Sequence, residues 1–309
     1  MGEFDRIERR ISLHDLRVLM SVVQAGSMGK AAKRLATSQP AISRSIAELE
    51  DALGVRLLDR SPQGIEPTAY GRALLNRGLV VFDELMQGVK DIRFLADPSA
   101  GELRIGASIA VAAGFVSSII DRLSRRFPRL AFQVLATDTA TAYRALVERQ
   151  VDLLVIHVIE PIAKEHMDAE VLFHDPHVVV AGVQNPWTRR RRLALGDLTN
   201  EPWTLPWPDA PYGAVVLEAF RASGLDFPRT VATATLPVRT ALLATGRYLS
   251  MVPDVVLQFP AKSRTLRRLP IDLPTTSRPL AIITLKNRTL NPVAQLFAEF
   301  AREAARQLA

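Results

Sequence analysis

Two short helical patterns joined by a three-residue break constrain this chain more than any other feature of its sequence. The run Gln39 to Leu53 places Ile42, Ile46, Leu49 and Leu53 at spacings of four, three and four, a single helical stripe. Pro40 falls in the first turn, where a missing N–H is harmless, and Gly54 follows the last residue. Before it, Met28 to Leu35 reads as a shorter helix with Ala31, Ala32 and Leu35 inward, and Ala36-Thr37-Ser38 is the break. A helix ahead of both, capped by Ser12 and ended by Gly26, is marked by Leu13, Leu16, Leu19, Met20 and Val23. Two helices joined by a tight turn, the second with polar groups on its exposed N-terminal face, form the helix-turn-helix pattern. Those exposed positions are Gln39, Ser43 and Arg44. Gln can bond an adenine edge, Ser and Arg can bond phosphates or guanine, and a helix N-terminus favours phosphate. Any small helical bundle can carry such a stripe, and on that reading the three residues are solvated surface.

After Gly54, Val55 to Leu58 reads as a short strand, Ser61 to Gly64 as a turn and Ile65 to Pro67 as a return strand, a β-wing behind the helix pair. Arg56 and Arg60 then stand where wing residues meet phosphates. Bulk charge is a poorer guide. The 309 residues carry a net charge of +7, yet residues 1 to 66 hold ten Lys and Arg against nine Asp and Glu.

The stretch from Leu13 to Leu75 resembles the winged helix-turn-helix of LysR-type regulators, through its A-A-x-x-L, S-Q-P-A-I-S, I-x-x-L-E, L-G-x-x-L-L-x-R and P-T-x-x-G runs in that order. Leu58 replaces the phenylalanine common in that pattern. The resemblance implies that Thr37, Ser38, Gln39, Pro40, Ser43 and Arg44 lie at or beside double-stranded DNA, with Arg34, Arg56 and Arg60 as further phosphate contacts. It also implies a transcriptional regulator rather than an enzyme, acting as a homodimer or homotetramer.

From Thr68 no proline interrupts the chain until Pro98, and Leu75, Leu79, Phe82, Met86 and Val89 alternate spacings of four and three. About 29 residues at about 1.5 Å each reach roughly 40 Å, more than one small winged domain can bury. The seam therefore meets a second copy of itself or lies against the C-terminal domain, and the resemblance favours the first.

Beyond the hinge Asp97 to Gly101 the pattern alternates strand and helix, which argues for a parallel or mixed α/β sheet. Glu102 to Ser108 is a strand, Val111 to Phe127 a helix, Ala131 to Ala136 a strand, Thr139 to Gln150 a helix and Val151 to Val158 an apolar strand. Ligands in such sheets sit beyond the carboxyl ends of strands, here marked by Ser108, Thr137, Asp138 and His157. The division expected is a winged domain over 1–67, a linker helix over 68–97 and a two-subdomain domain over 101–309. Its first subdomain takes 101–183 and 279–309, its second 184–278. This part resembles the periplasmic-binding-protein-like effector domain of the same family. The resemblance implies a small-molecule effector in the cleft, with Ser108 and Thr137 as strand-end hydroxyls and Trp207 near the opposite wall. Each hydroxyl has an alternative role as a local helix cap. Tyr248 stands where the family often has a second glycine, which narrows the wall there. Two phrases, Asp138 to Val158 and Leu242 to Pro253, are nearest a subgroup named for a galactose-binding-protein regulator, and point to a sugar or an aromatic or organic acid.

Several functions are excluded. There is no cysteine, so disulfide scaffolds, thiolate metal sites and cysteine nucleophiles are absent. No G-x-x-x-x-G-K-[ST], G-x-S-x-G or H-E-x-x-H string occurs, and neither a cofactor nor a metal is expected. His174-Asp175-Pro176-His177 reads as a strand-edge turn rather than a metal site, and Arg189 to Arg192 as a solvated loop. The absence of a long apolar run and of an apolar leader leads to the expectation of a cytoplasmic protein with no membrane partner. The rival function is a small-molecule carrier whose winged domain only meets other proteins.

Overall fold

The computed structural model describes residues 11–61, 64–162, 165–229, 235–258, 265–273 and 276–308. The chain forms two compact units, one reaching to Gly88 and one running from Val89. Among the described residues no helix is long and apolar enough to cross a membrane.

In the first unit, α1 (Leu13–Ala25), α2 (Met28–Arg34) and α3 (Gln39–Leu53) enclose a small core of Val18, Leu19, Val22, Ile42, Ile46 and Leu49. Ser12 caps α1 with Asp15 in a reciprocal capping box. The buried stripe of α1 is Val18, Leu19 and Val22, rotated from the expected set. Leu13 is exposed, whereas Val18, Leu19 and Val22 lie in the winged core. Between α2 and α3 the turn passes through Ala36 at φ 52°, left-handed backbone without a glycine. The wing is the antiparallel pair β1 (Leu58–Ser61) and β2 (Gly64–Pro67). It starts three residues later than expected, because Glu50 Oε1 accepts the backbone N–H groups of Leu57 (2.7 Å) and Leu58 (3.2 Å) and Val55 to Leu57 are thereby tied to α3. Pro62 and Gln63 of the expected turn lie outside the described residues.

Helix α4 runs from Ala69 to Ala96. It begins where Thr68 Oγ1 donates to Arg56 O (2.8 Å) and accepts from Gly71 N (3.1 Å). A side chain at Gly71 would bring its Cβ to 2.1 Å from Leu57 O, so the P-T-x-x-G run fixes how wing and helix meet.

The second unit holds two sheets. The larger has the order β4-β3-β5-β10-β6, formed by β3 (Ala100–Ser108), β4 (Arg129–Thr137), β5 (Leu153–His157), β6 (Met167–Asp175) and β10 (Arg278–Leu285). β3 is parallel to β4 and β5, and β10 is antiparallel to β5 and β6. The smaller has β7 (His177–Gly182) between β8 (Leu249–Pro253) and β9 (Leu266–Arg268), all antiparallel. The expected helix Val111 to Phe127 is a turn Ile109–Val111, a π-helical stretch Ala112–Val116 and then α5 (Ser117–Arg126). Helices α6 (Thr139–Val147) and α9 (Pro292–Arg306) complete the first subdomain, while α7 (Pro211–Ala222) and α8 (Leu236–Ala244) belong to the second.

This arrangement moves one boundary. β7, expected in the first subdomain, pairs with β8 and β9 of the second, so the chain crosses at Pro176 and not after Val183. Strand β6 was not expected. It occupies a sheet edge with most side chains exposed, so no hydrophobic alternation marks it. The two crossings are bonded together: His177 Nδ1 lies 3.3 Å from Thr276 O, and Thr276 Oγ1 donates to His177 O (3.2 Å).

Candidate functional site

The first candidate surface is the start of α3. Ser38 is its cap, accepting from Ala41 N (3.3 Å), and Gln39 and Pro40 open the helix. Thr37, Ser38, Gln39, Pro40 and Arg44 are exposed and Ser43 is half-buried. Thr37 N donates to Ala32 O (2.9 Å), which fixes the turn. Ser45, one residue beyond Arg44, is buried and donates to Asp15 Oδ1 (2.8 Å), pinning α3 across α1. Burial works against the Asp15 charge, yet the hydrogen bonds from Ser12 and Ser45 hold its carboxyl below the ordinary range. Arg34 at the end of α2, Arg56 before the wing and Arg60 on β1 are exposed within this unit. Lys30 and Lys33 are exposed on α2 as well, cations that sequence reasoning did not select. Ile65 N donates to Gly26 O (3.2 Å), which fastens the wing to the turn after α1. A helix N-terminus, several guanidinium groups and a fastened wing make a surface suited to a polyanion.

The second candidate is a cavity of about 220 Å³ in the second unit, where the carboxyl ends of β3 and β4 face α7 and α8. Ser108, Thr137 and Asp138 line it, as do Tyr212 and Arg239, which sequence reasoning missed. Its remaining walls are mainly apolar, with Ile109, Ala110, Pro206, Pro211, Leu236 and Pro253 among them. Asp138 caps α6 by accepting from Thr141 N (2.9 Å). That hydrogen bond is the main reason its carboxyl lies below the ordinary range. Ser108 precedes a helical turn but makes no side-chain cap bond; its Oγ lies 3.1 Å from the Tyr212 hydroxyl.

His157 lies behind the cavity wall instead of in it. Its ring is fully buried, with Nε2 2.7 Å from Asp175 Oδ2 and Nδ1 2.9 Å from the Tyr212 hydroxyl. Asp175 Oδ1 also accepts from Val255 N (3.2 Å). Tyr212, carried on α7 of the second subdomain, therefore bonds to β3 and β5 of the first, and Asp175 continues the connection to the crossing at Pro176. Burial, chiefly, raises the Tyr212 phenol well above its usual range, so it remains a neutral hydrogen-bonding group.

Two expected pocket residues do not reach the cavity. Trp207 is exposed on the loop before α7, and its backbone carbonyl packs against Gly213, where a Cβ would stand 1.6 Å away. Tyr248 is half-buried beside Val178, Val180 and Leu243, with the Arg247 guanidinium over its ring. Among the described residues no group of three or more His, Asp or Glu is placed to hold a metal. Asp175 of the His174 to His177 run is engaged by His157, and His177 by Thr276.

Both parts of the chain match known families. Residues 13–72 match the model of the bacterial regulatory helix-turn-helix protein, lysR family, and residues 96–306 match the LysR substrate binding domain. The HTH-type transcriptional regulator TdcA of Escherichia coli K12 is 25% identical over 93% of this chain and 91% of its own length. The HTH-type transcriptional regulator GbpR of Azospirillum brasilense is 26% identical over 94% and 85%. The crystal structure of full-length CbnR complexed with target DNA has 22% identity and a TM-score of 0.55, covering 96% of this chain and 100% of that one; this last likeness is one of fold.

Proposed function

The chain belongs to the LysR family of bacterial DNA-binding transcriptional regulators, and from that premise we propose which of its residues meet DNA and where its effector binds. The start of α3 enters the major groove. Gln39 reads a base edge there, while Arg34, Arg44, Arg56 and Arg60 meet phosphates beside Thr37, Ser38, Pro40 and Ser43. The observation that carries this reading is the exposed N-terminal turn of α3, held by the Ser38 cap and the Ser45–Asp15 hydrogen bond.

The effector binds in the cavity between the two subdomains. Tyr212 spans them through Ser108 and His157, so a ligand that favours one arrangement of the subdomains over the other shifts the molecule toward it, and one with equal affinity for both shifts nothing. Two copies associate through α4, which places two recognition helices on a pseudo-palindromic site. TdcA and GbpR match at nearly equal identity, so sequence identity favours no ligand subgroup.

The test is a salt-dependent titration of the purified chain against the DNA upstream of its own gene, with random duplex as control. Tighter binding upstream is expected. Gln39→Ala should relax sequence preference by about 1 to 3 kcal/mol, and Arg44→Ala should weaken all sequences and lower the salt slope by about 1. Equal effects of the two substitutions on both duplexes would overturn the division of roles.

A further inference from the structure

Arg239 lines the cavity from α8, with only 7% of its surface accessible. Its Nη1 donates to Met251 O over a long 3.3 Å, and among the described residues its Nε has no hydrogen-bond partner. No carboxylate of the described residues pairs with the guanidinium. Burial lowers its pKa to about 10, which leaves it charged at neutral pH. Buried charges in folded proteins are paired, and an orphaned buried donor is a place where a ligand atom belongs. A guanidinium offers a carboxylate parallel N–H donors that fix orientation as well as charge.

The far wall has the opposite sign. The N-terminus of α6, which would otherwise draw an anion toward Thr139 and Ala140, already carries the Asp138 carboxylate as its cap. Hydrogen bonds keep that carboxylate ionised. Between the two charges the walls are mainly apolar, with the hydroxyls of Ser108, Thr137, Thr139 and Tyr212 among them, and this suits a largely hydrocarbon body better than a sugar bearing hydroxyls on every face.

We propose that the effector is a small organic acid with a single carboxylate, that Arg239 holds this carboxylate, and that Asp138 excludes a second anionic group while accepting a hydroxyl or ammonium. The proposal rests on the cavity being the effector site and goes further by naming the ligand's charge pattern.

The experiment measures thermal stabilisation and dissociation constants of the full chain with benzoate, 3-hydroxybenzoate, 2-hydroxybutyrate and 2-aminobutyrate, set against benzamide, succinate and galactose. At least one monocarboxylate should raise the melting temperature while benzamide, succinate and galactose do not. Arg239→Met should weaken that binding by more than about tenfold. Arg239→Lys, which keeps the charge and serves if the methionine variant fails to fold, should bind more weakly and still prefer acid to amide. Ala140→Trp, at an exposed position on the cavity wall, should abolish binding by bulk. Stabilisation by no carboxylate, by succinate as well as the monoacids, or by galactose or benzamide would overturn the proposal. Binding that survives in Arg239→Met but is lost in Ala140→Trp would remove the acid anchor and keep the cavity. Binding that survives in Ala140→Trp would remove the cavity as well.

Discussion

His177 is held uncharged by the fold. Its ring is buried, burial disfavours the imidazolium, nearby His157 adds to the effect, and the pKa falls to about 3. In the unfolded chain it titrates near its ordinary value of about 6.5. Between these values the unfolded chain binds the extra proton, so the stability this residue contributes is complete above about pH 6.5 and is lost as pH falls toward 3. The slope approaches about 1.4 kcal/mol per pH unit. His177→Gln, which keeps a donor for Thr276 O, should flatten the decline of unfolding free energy between pH 6 and 4 by close to one proton, as read by denaturant titration of the effector-domain transition. An unchanged slope would place the proton elsewhere. Residues differ in how far sequence reveals them. Ser108, Thr137 and Asp138 were legible as cavity-lining positions because they end strands or directly follow one. Arg239 and Tyr212 were not: an Arg in an apolar helix and a Tyr after a proline acquire their roles only when α7 and α8 close against β3 and β4. His157 was placed at a strand end correctly, but its side chain turns inward to Asp175, a partner on the strand that sequence did not mark.

Among the elements, the short family runs are the most readable, because each encodes a local bond. Glu50 of I-x-x-L-E holds the start of the wing, Gly71 of P-T-x-x-G makes room for Leu57 O, and Ala31 and Ala32 are buried where α2 meets its neighbours. The wing boundary and strand β6 were less readable. A tied loop carries the same residues as a paired strand, and an edge strand with most side chains exposed shows no hydrophobic alternation, so in both only the partner decides. Ser38 tests what a cap contributes to recognition. Ser38→Ala should cost about 1 kcal/mol of winged-domain stability, and Ser38→Gly only a few tenths. If Ser38 serves chiefly by capping, DNA affinity should fall more in the alanine variant. Equal losses of affinity in the two, measured beside their thermal unfolding, would instead make the hydroxyl a direct DNA contact.

For the whole molecule the decisive element is α4. The expected seam of Leu75, Leu79, Phe82, Met86 and Val89 is not the most open one. Leu74 and Leu75 pack against the winged core, and Gly78 faces Leu16 and Met20 of α1, so this face of the helix is already partnered as far as Gly78. Beyond it, Val81, Leu85, Ile92 and Leu95 are exposed, Ile92 by 68% and Leu95 by 80%. With Gly88 between them they repeat at spacings of four, three, four and three, the heptad seam of a coiled coil. A Cβ at Gly88 would meet nothing within 4 Å, which leaves room for a second helix to come close. Exposed apolar residues at this spacing are costly unless covered, and a second copy of α4 would cover them with matching geometry. Leu85→Glu or Ile92→Glu should therefore yield monomer in sedimentation velocity at concentrations where the unaltered chain associates. Each should also lower affinity for a two-half-site duplex far more than for a single half-site, since only the former gains from two linked recognition helices. Unaltered chain that sediments as a monomer and still binds the full site tightly would remove self-association from the mechanism and leave the exposed seam to another partner.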